Sequence, residues 1–248
     1  LLKKYGGWST EGKTAFANWV DTVYIAKVAN YIKNHENNWG DWGTYGAMAA
    51  YYYRDDTVNL NNEITRLNGK IDKSIAADGS MPKETARGDG GLRYTYFALA
   101  PMTAAAHIAK EATGTDLFQW TSPSGRTLKS ALDYLLYYLK NPGQWPHYTN
   151  PGVPDTTAMW SYDLFEAMSS YYDDPDYESY AAERRSIIYV GHHYAWSFPT
   201  ITKVGIKLVD ENFLIPIQPE ARLAAGRFRT LQIPALPYLT FPVRPINA

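Results

Sequence analysis

Arg87 and Tyr94 are the two residues of this chain whose types and spacing most readily suggest chemistry. They lie seven positions apart, with Gly88, Gly90 and Gly91 between them. A loop of that kind can bring a guanidinium close to a phenol and still leave room for a ligand. A phenol ordinarily holds its proton up to a pH of about 10, and a neighbouring cation favours the phenolate. The pair is therefore a candidate proton-transfer device, in which the tyrosine takes a proton as base and returns it as acid. Upstream, Asn37 and Asn38 offer amides able to donate to a carboxylate. Each of these residues also has a plain structural explanation. An Asn near a helix end caps backbone, Arg87 can staple its loop through Glu84 or Asp89, and Tyr94 is one of 21 tyrosines.

The stretch that must position the pair is DGSMPKETARGDGGLRYTYFALAPM, residues 78–102. Its first half is turn-forming, through Asp78, Gly79, Ser80, Pro82 and the glycines. From Leu92 a helix begins, with Phe97, Ala104 or Ala105, and Ile108 sharing a face. Pro101 predicts a kink or a restart within it. Around this segment the apolar spacing predicts helices over about 13–33, 44–54, a third carrying Leu60, Ile64, Leu67, Ile71 and Ile75, then 125–140, 156–172 and 177–189. Trp39-Gly40-Asp41-Trp42-Gly43 reads as a lead-in to the second of these. From Phe198 the pattern changes to short β-like runs broken by prolines. The expected architecture is all-α: an α/α toroid over 1–197, in the form of an incomplete helical-hairpin barrel, with a Pro-rich, partly β-like extension or strap over 198–248.

Composition narrows the function classes. The 248 residues carry a net charge of −1 with no block of Lys or Arg, so neither nucleic acid nor a membrane surface has electrostatic support as a partner. No run of 18 apolar residues exists to span a bilayer. There is no cysteine, which excludes disulfides, thiol catalysis and Cys-ligated metals. No metal-binding spacing such as HExxH occurs, and no cofactor fingerprint is visible. The chain opens at Leu1-Leu2-Lys3-Lys4 without Met or a signal-peptide pattern, and is expected to be a processed or truncated piece. Aromatic residues make up 15%, including 21 Tyr and 8 Trp. Flat amphipathic rings in that number suit clefts in which pyranose faces stack.

The central stretch resembles the catalytic segment of the helical-toroid alginate lyases, polysaccharide lyase family 5 and relatives such as family 38. Asp78, Gly79, Ser80, Pro82, Glu84, Arg87, Gly88, Tyr94, Phe97, Ala98, Leu99 and Pro101 fall in register with the family pattern. A second family landmark, Asn-Asn-His, is matched by Asn37-Asn38 with Trp39 in the His place. The N-terminal third of a typical member has no counterpart, so the resemblance implies either a missing segment or second chain that completes the toroid, or a compact variant of the family. It implies Tyr94, Arg87 and Asn38 as catalytic residues, with Asn37 and Trp39 beside the substrate; by their position near these residues or in the aromatic loop, His35, Trp42, Tyr96, His147 and Tyr148 are further substrate-binding candidates. It further implies an acidic polysaccharide substrate, no metal or cofactor, and a secreted or periplasmic protein engaged in carbohydrate degradation.

The chemistry of such an enzyme can be argued on its own terms. Cleaving a 4-linked polyuronate by β-elimination requires neutralising the C6 carboxylate, removing H5 and protonating O4. In β-mannuronate and β-glucuronate, H5 and O4 lie on one ring face, so one Tyr can serve both steps. Guluronate places them on opposite faces and needs a second group, which the replacement of the family His by Trp39 removes. Mannuronan or glucuronan is thus expected over guluronan. Two other readings are carried forward. A glycoside hydrolase on the same fold would draw two carboxylates from Asp41, Asp78, Glu84 and Asp89. A non-catalytic polysaccharide-binding protein on a lyase scaffold would explain Trp39. Among the remaining histidines, His107 is expected in the core, and His192 and His193, being adjacent, are expected at the surface or in structural roles.

Overall fold

The computed structural model describes residues 7–154, 160–187, 195–197 and 199–202. The chain divides into one unit of Leu1–Gly205 and a second of Ile206–Ala248. Every described residue belongs to the first. The β-like runs expected after Phe198 and the pair His192-His193 lie outside the described residues. The exception is Pro199–Thr202, which forms a short helix, α10.

Helix α1 (Thr10–Trp19) is capped by Ser9, whose hydroxyl accepts from the Gly12 N–H at 3.0 Å. It continues through a wider, π-helical stretch, Val20–Ala29, into a last turn, α2 (Asn30–Ile32). This is the long first helix the apolar spacing predicts, with its middle turns loosened. Helix α3 (Asn38–Arg54) starts six residues earlier than expected. Its two early glycines are sites of close approach rather than helix breakers. A Cβ on Gly40 would sit 1.8 Å from the His35 carbonyl oxygen, and one on Gly43 would sit 2.4 Å from the Lys33 backbone nitrogen. The segment that turns from α2 into α3 thus folds directly against the first turns of α3.

Helix α4 (Thr57–Ser74) buries Leu60, Ile64, Leu67 and Ile71, the stripe its periodicity predicts. The turn after it is set by Asp78, whose carboxylate accepts from the Ser80 N–H, and by Gly79 at φ +88°. A short helix, α5 (Pro82–Thr85), and a 3₁₀ turn, Gly88–Gly90, lead into α6 (Gly91–Thr113). Pro101 is buried inside α6, and the helix runs on through it without the expected restart. Helix α7 (Leu128–Lys140), within the expected 125–140, is capped by Thr127 and buries Leu128, Leu132, Leu135, Leu136 and Leu139. Helix α8 (Tyr162–Tyr172) begins later than expected, and α9 (Pro175–Ala182) ends before the predicted 189.

The helices pack as successive hairpins. α3 lies against both α4 and α6, α6 against α7, and α8 against α9. This is the helical-hairpin packing of an α/α toroid, and its apolar interior runs through α3, α4, α6, α7 and α8. No helix among the described residues is long and apolar enough to cross a membrane.

The close approach at Gly43 gives a direct stability test. Gly43→Ala should lower stability by about 1–3 kcal/mol, because the backbone it would strike cannot rotate away. Gly69→Ala, on α4 with nothing within 4 Å of its Cβ, should raise stability by about 0.5–1 kcal/mol through helix propensity. Urea midpoints moving in the same direction would refute the packing argument.

Candidate active site

The first turns of α3 and α6 face one another across a cleft of about 720 Å³. Asn38, Trp39 and Trp42 come from α3, and Arg93, Tyr94, Tyr96 and Phe97 from α6. Tyr24 and Ile32 close one side, and Trp160 another. The cleft is therefore mostly aromatic, with few polar groups.

Asn38 is 1% exposed. Its backbone N–H donates to Glu84 Oε1 at 2.7 Å and its Nδ2 donates to Glu84 Oε2 at 2.8 Å. One buried carboxylate from α5 thus holds both the start of α3 and the side chain at the cleft. The grip also sets the amide's polarity, since a flipped amide would bring two oxygens together. Asn38 Oδ1 is buried without a partner. Asn37, expected to bind substrate, caps α3 by accepting from the Trp39 N–H at 3.2 Å.

Arg87 sits where the 3₁₀ turn begins, and Gly88 takes φ +61°. Its Nε donates to the Lys83 carbonyl at 3.3 Å and lies 3.9 Å from Glu84 Oε2. Its Cζ stands 4.9 Å from the centroid of the Tyr94 ring, a cation over a phenol face. Gly90 makes this possible: a Cβ there would come within 3.1 Å of the Tyr94 ring. Tyr94 is 37% exposed and packs edge-on to Phe97, which in turn contacts Trp42.

Beneath the cleft, buried charges brace these elements. Lys70 reaches Asp41 Oδ1 at 3.2 Å and donates to the His35 carbonyl at 3.0 Å, tying α4 to the entrance of α3. Burial pushes the Asp41 carboxyl up to about 7 against the pull of Lys70. On the opposite wall, the Tyr96 hydroxyl donates to Asp163 Oδ2 at 2.9 Å. Burial pushes the Asp163 carboxyl up to about 8, opposed by that hydrogen bond.

The raised Asp163 value has a consequence for stability. A carboxyl that titrates near 4 when unfolded and near 8 when folded leaves the folded state holding the extra proton between those values. Stability contributed by that proton is full below about pH 4 and is lost as pH rises toward about 8. Asp163→Asn keeps an acceptor for Tyr96 and cannot ionise. Its stability should match the parent's below about pH 4 and exceed it increasingly as pH rises toward about 9, by roughly a few kcal/mol. Parallel pH profiles for the two proteins would count against a protonated Asp163.

The other sequence candidates fall in two places. Trp39 stands 57% exposed at the cleft wall, and the exposed His35 ring lies 5.7 Å from it. Trp42 and Tyr96 line the cleft. His147 does not; it borders a separate hollow of about 390 Å³ with Ser80, Pro82 and Thr85, its Nε2 2.8 Å from the Tyr134 hydroxyl. Tyr148 lies on that side as well, near Gly88. His107 is a half-buried core residue bonded to Tyr171, as expected. Of the four carboxylates from which a hydrolase would draw its two, Asp41 and Glu84 are buried and committed and Asp78 serves its turn, and none of the four, Asp89 included, is among the residues lining the cleft. Among the described residues no cluster of His, Asp and Glu could hold a metal ion.

Sequence reasoning missed Tyr24, Arg93 and Trp160, and the part Glu84 plays. Arg93 was legible only as a charge beside Tyr94, and Glu84 acts on a residue 46 positions away.

The family model described as alginate lyase matches residues 1–145. No curated protein matches. Among solved structures, alginate lyase A1-III from Sphingomonas species A1 superposes with a TM-score of 0.66 at 17% identity, over 82% of this chain and 57% of that one. A variant of alginate lyase A1-III complexed with a tetrasaccharide gives 0.67 at 17% identity, over 82% and 56%. An alginate lyase from Bacteroides ovatus gives 0.57 at 22% identity, over 75% and 50%. The chain thus spans a little over half the length of the solved structures it matches.

Proposed function

The chain belongs to the alginate lyase family, and from that premise we propose that it cleaves a 4-linked polyuronate by β-elimination in the cleft between α3 and α6. The observation that carries this reading is the Arg87 guanidinium 4.9 Å above the ring of a cleft-lining tyrosine, facing an amide held by Glu84.

Each step has a group suited to it. Asn38 keeps one Nδ2 proton beyond the one given to Glu84, and donates it to the C6 carboxylate of the residue being cleaved. Arg87 lies over the face of the Tyr94 ring and holds the phenol in place at the cleft. The phenolate removes H5, the C5 electron pair forms the C4–C5 double bond, and the C4–O4 bond breaks. Tyr94, now protonated, gives its proton to the departing O4 and returns to its starting state. The aromatic walls stack on pyranose faces. With one proton-transfer group, the reaction suits uronates whose H5 and O4 share a face, so mannuronan or glucuronan is the proposed substrate. A polymer of that size would be met outside the cytoplasm, in a secreted or periplasmic setting.

Incubation with polymannuronate, glucuronan and polyguluronate tests this, read by the ultraviolet absorbance of the unsaturated product end. A rise on either of the first two with little on polyguluronate is expected. Binding without any rise would favour the non-catalytic reading that Trp39 supports, and new reducing ends without the chromophore would favour hydrolysis.

A further inference from the structure

We infer that Arg93 binds the carboxylate of a uronate neighbouring the one being cleaved, and so sets the preference of the cleft for a polyanion. The inference rests on the polyuronate reading above and goes beyond it in assigning the charge recognition to one residue.

Arg93 is the charged side chain on the cleft wall among the described residues. It is exposed and makes no ion pair or side-chain hydrogen bond among them. Arg87, by contrast, is occupied: its Nε is held by the Lys83 carbonyl, it leans on Glu84, and its face covers Tyr94. A cation that is packed against the proton-transfer group, and is not itself among the residues lining the cleft, serves that group. Among the described residues lining the cleft, the cation free to meet an incoming anion is Arg93. A planar guanidinium suits the task, since it can bond a carboxylate in two-point fashion while lying among aromatic rings.

Helix geometry fixes which carboxylate it meets. Arg93 and Tyr94 are consecutive on α6, so their side chains diverge by about 100° around the axis. Both reach the same cleft. If Tyr94 addresses the reacting C5, the longer Arg93 side chain addresses a point displaced along the polymer. That displacement separates its work from the chemistry: it should act on binding and leave the rate of the bound complex alone.

The test compares Arg93→Gln and Arg93→Lys with the parent on polymannuronate over a range of salt. For Arg93→Gln, KM should rise about tenfold or more while kcat stays within about twofold, and the salt dependence of KM should flatten. Arg93→Lys should recover part of the loss. Direct binding of a mannuronate tetrasaccharide should weaken in parallel, and binding of its carboxyl-reduced counterpart should not change. An unchanged KM and affinity for Arg93→Gln would overturn the inference while the lyase reading stands. A fall in kcat at constant KM would also overturn it, by placing Arg93 on the reacting sugar. A parent protein that neither cleaves polymannuronate nor binds the tetrasaccharide would remove the underlying reading and this inference together.

Discussion

Tyr94→Phe should lower kcat on polymannuronate by about 10³-fold, within the 10²–10⁴ range of general acid–base steps, with KM little changed. The change removes one oxygen atom and keeps the ring. Its edge-on contact with Phe97 at 6.3 Å and the Arg87 stack at 4.9 Å survive. Because the residue is 37% exposed and its hydroxyl bonds nothing among the described residues, the urea midpoint should move by less than about 0.5 kcal/mol equivalent. The variant should therefore fold, bind substrate and fail to cleave it. Arg87→Ala should fall between the parent and this variant, because it removes the cation over the phenol without removing the phenol. Release of unsaturated ends at near-parental rate by Tyr94→Phe would mean that another group handles both proton transfers.

What was legible in the chain follows from which interactions are local. The Leu60, Ile64, Leu67, Ile71 stripe and the leucines of α7 repeat at helical spacing, and both helices are where that spacing puts them. The turn through Gly79 and the bend at Gly88 are backbone requirements that glycine announces by itself. The meeting of Arg87 with Tyr94 is seven residues long and was legible for the same reason. Gly40 and Gly43 misled because a glycine in a helix has two meanings. Local propensity counts it as a breaker, while packing uses it to let His35 and Lys33 backbone approach. Pro101 misled in part: of the kink or restart it predicts, the restart does not occur, because α6 carries the proline within one continuous, buried helix.

The site was less legible than the fold, since its electrostatics join distant segments. Asn38 depends on Glu84, Tyr96 on Asp163, and the entrance of α3 on Lys70. No periodicity encodes such pairs. Glu84 in particular has two carboxylate oxygens spent on one residue, which makes it the most informative position to change.

Glu84→Ala should destabilise the protein by about 3 kcal/mol, since it removes two charge-assisted bonds and strands the Asn38 N–H and Nδ2 away from water. Activity should vanish with the ordering of α3. Glu84→Gln asks a sharper question. The glutamine oxygen can still accept from the Asn38 backbone N–H, but its amide nitrogen would then face Asn38 Nδ2, donor against donor. The remedy is local: the Asn38 amide turns over, and Oδ1, which has no partner in the parent, accepts the glutamine N–H. Stability should then return to within about 1 kcal/mol of the parent. The cost appears in catalysis, because the donor that meets the C6 carboxylate has moved to where Oδ1 was. A displacement of that kind at a charge-stabilising donor is worth about 10–10² in kcat. Stable folding with kcat reduced at least about tenfold would establish that Glu84 acts by orienting Asn38. Stable folding with undiminished kcat would mean that Asn38 serves the chemistry equally well in either orientation, and that its grip by Glu84 is a matter of structure alone.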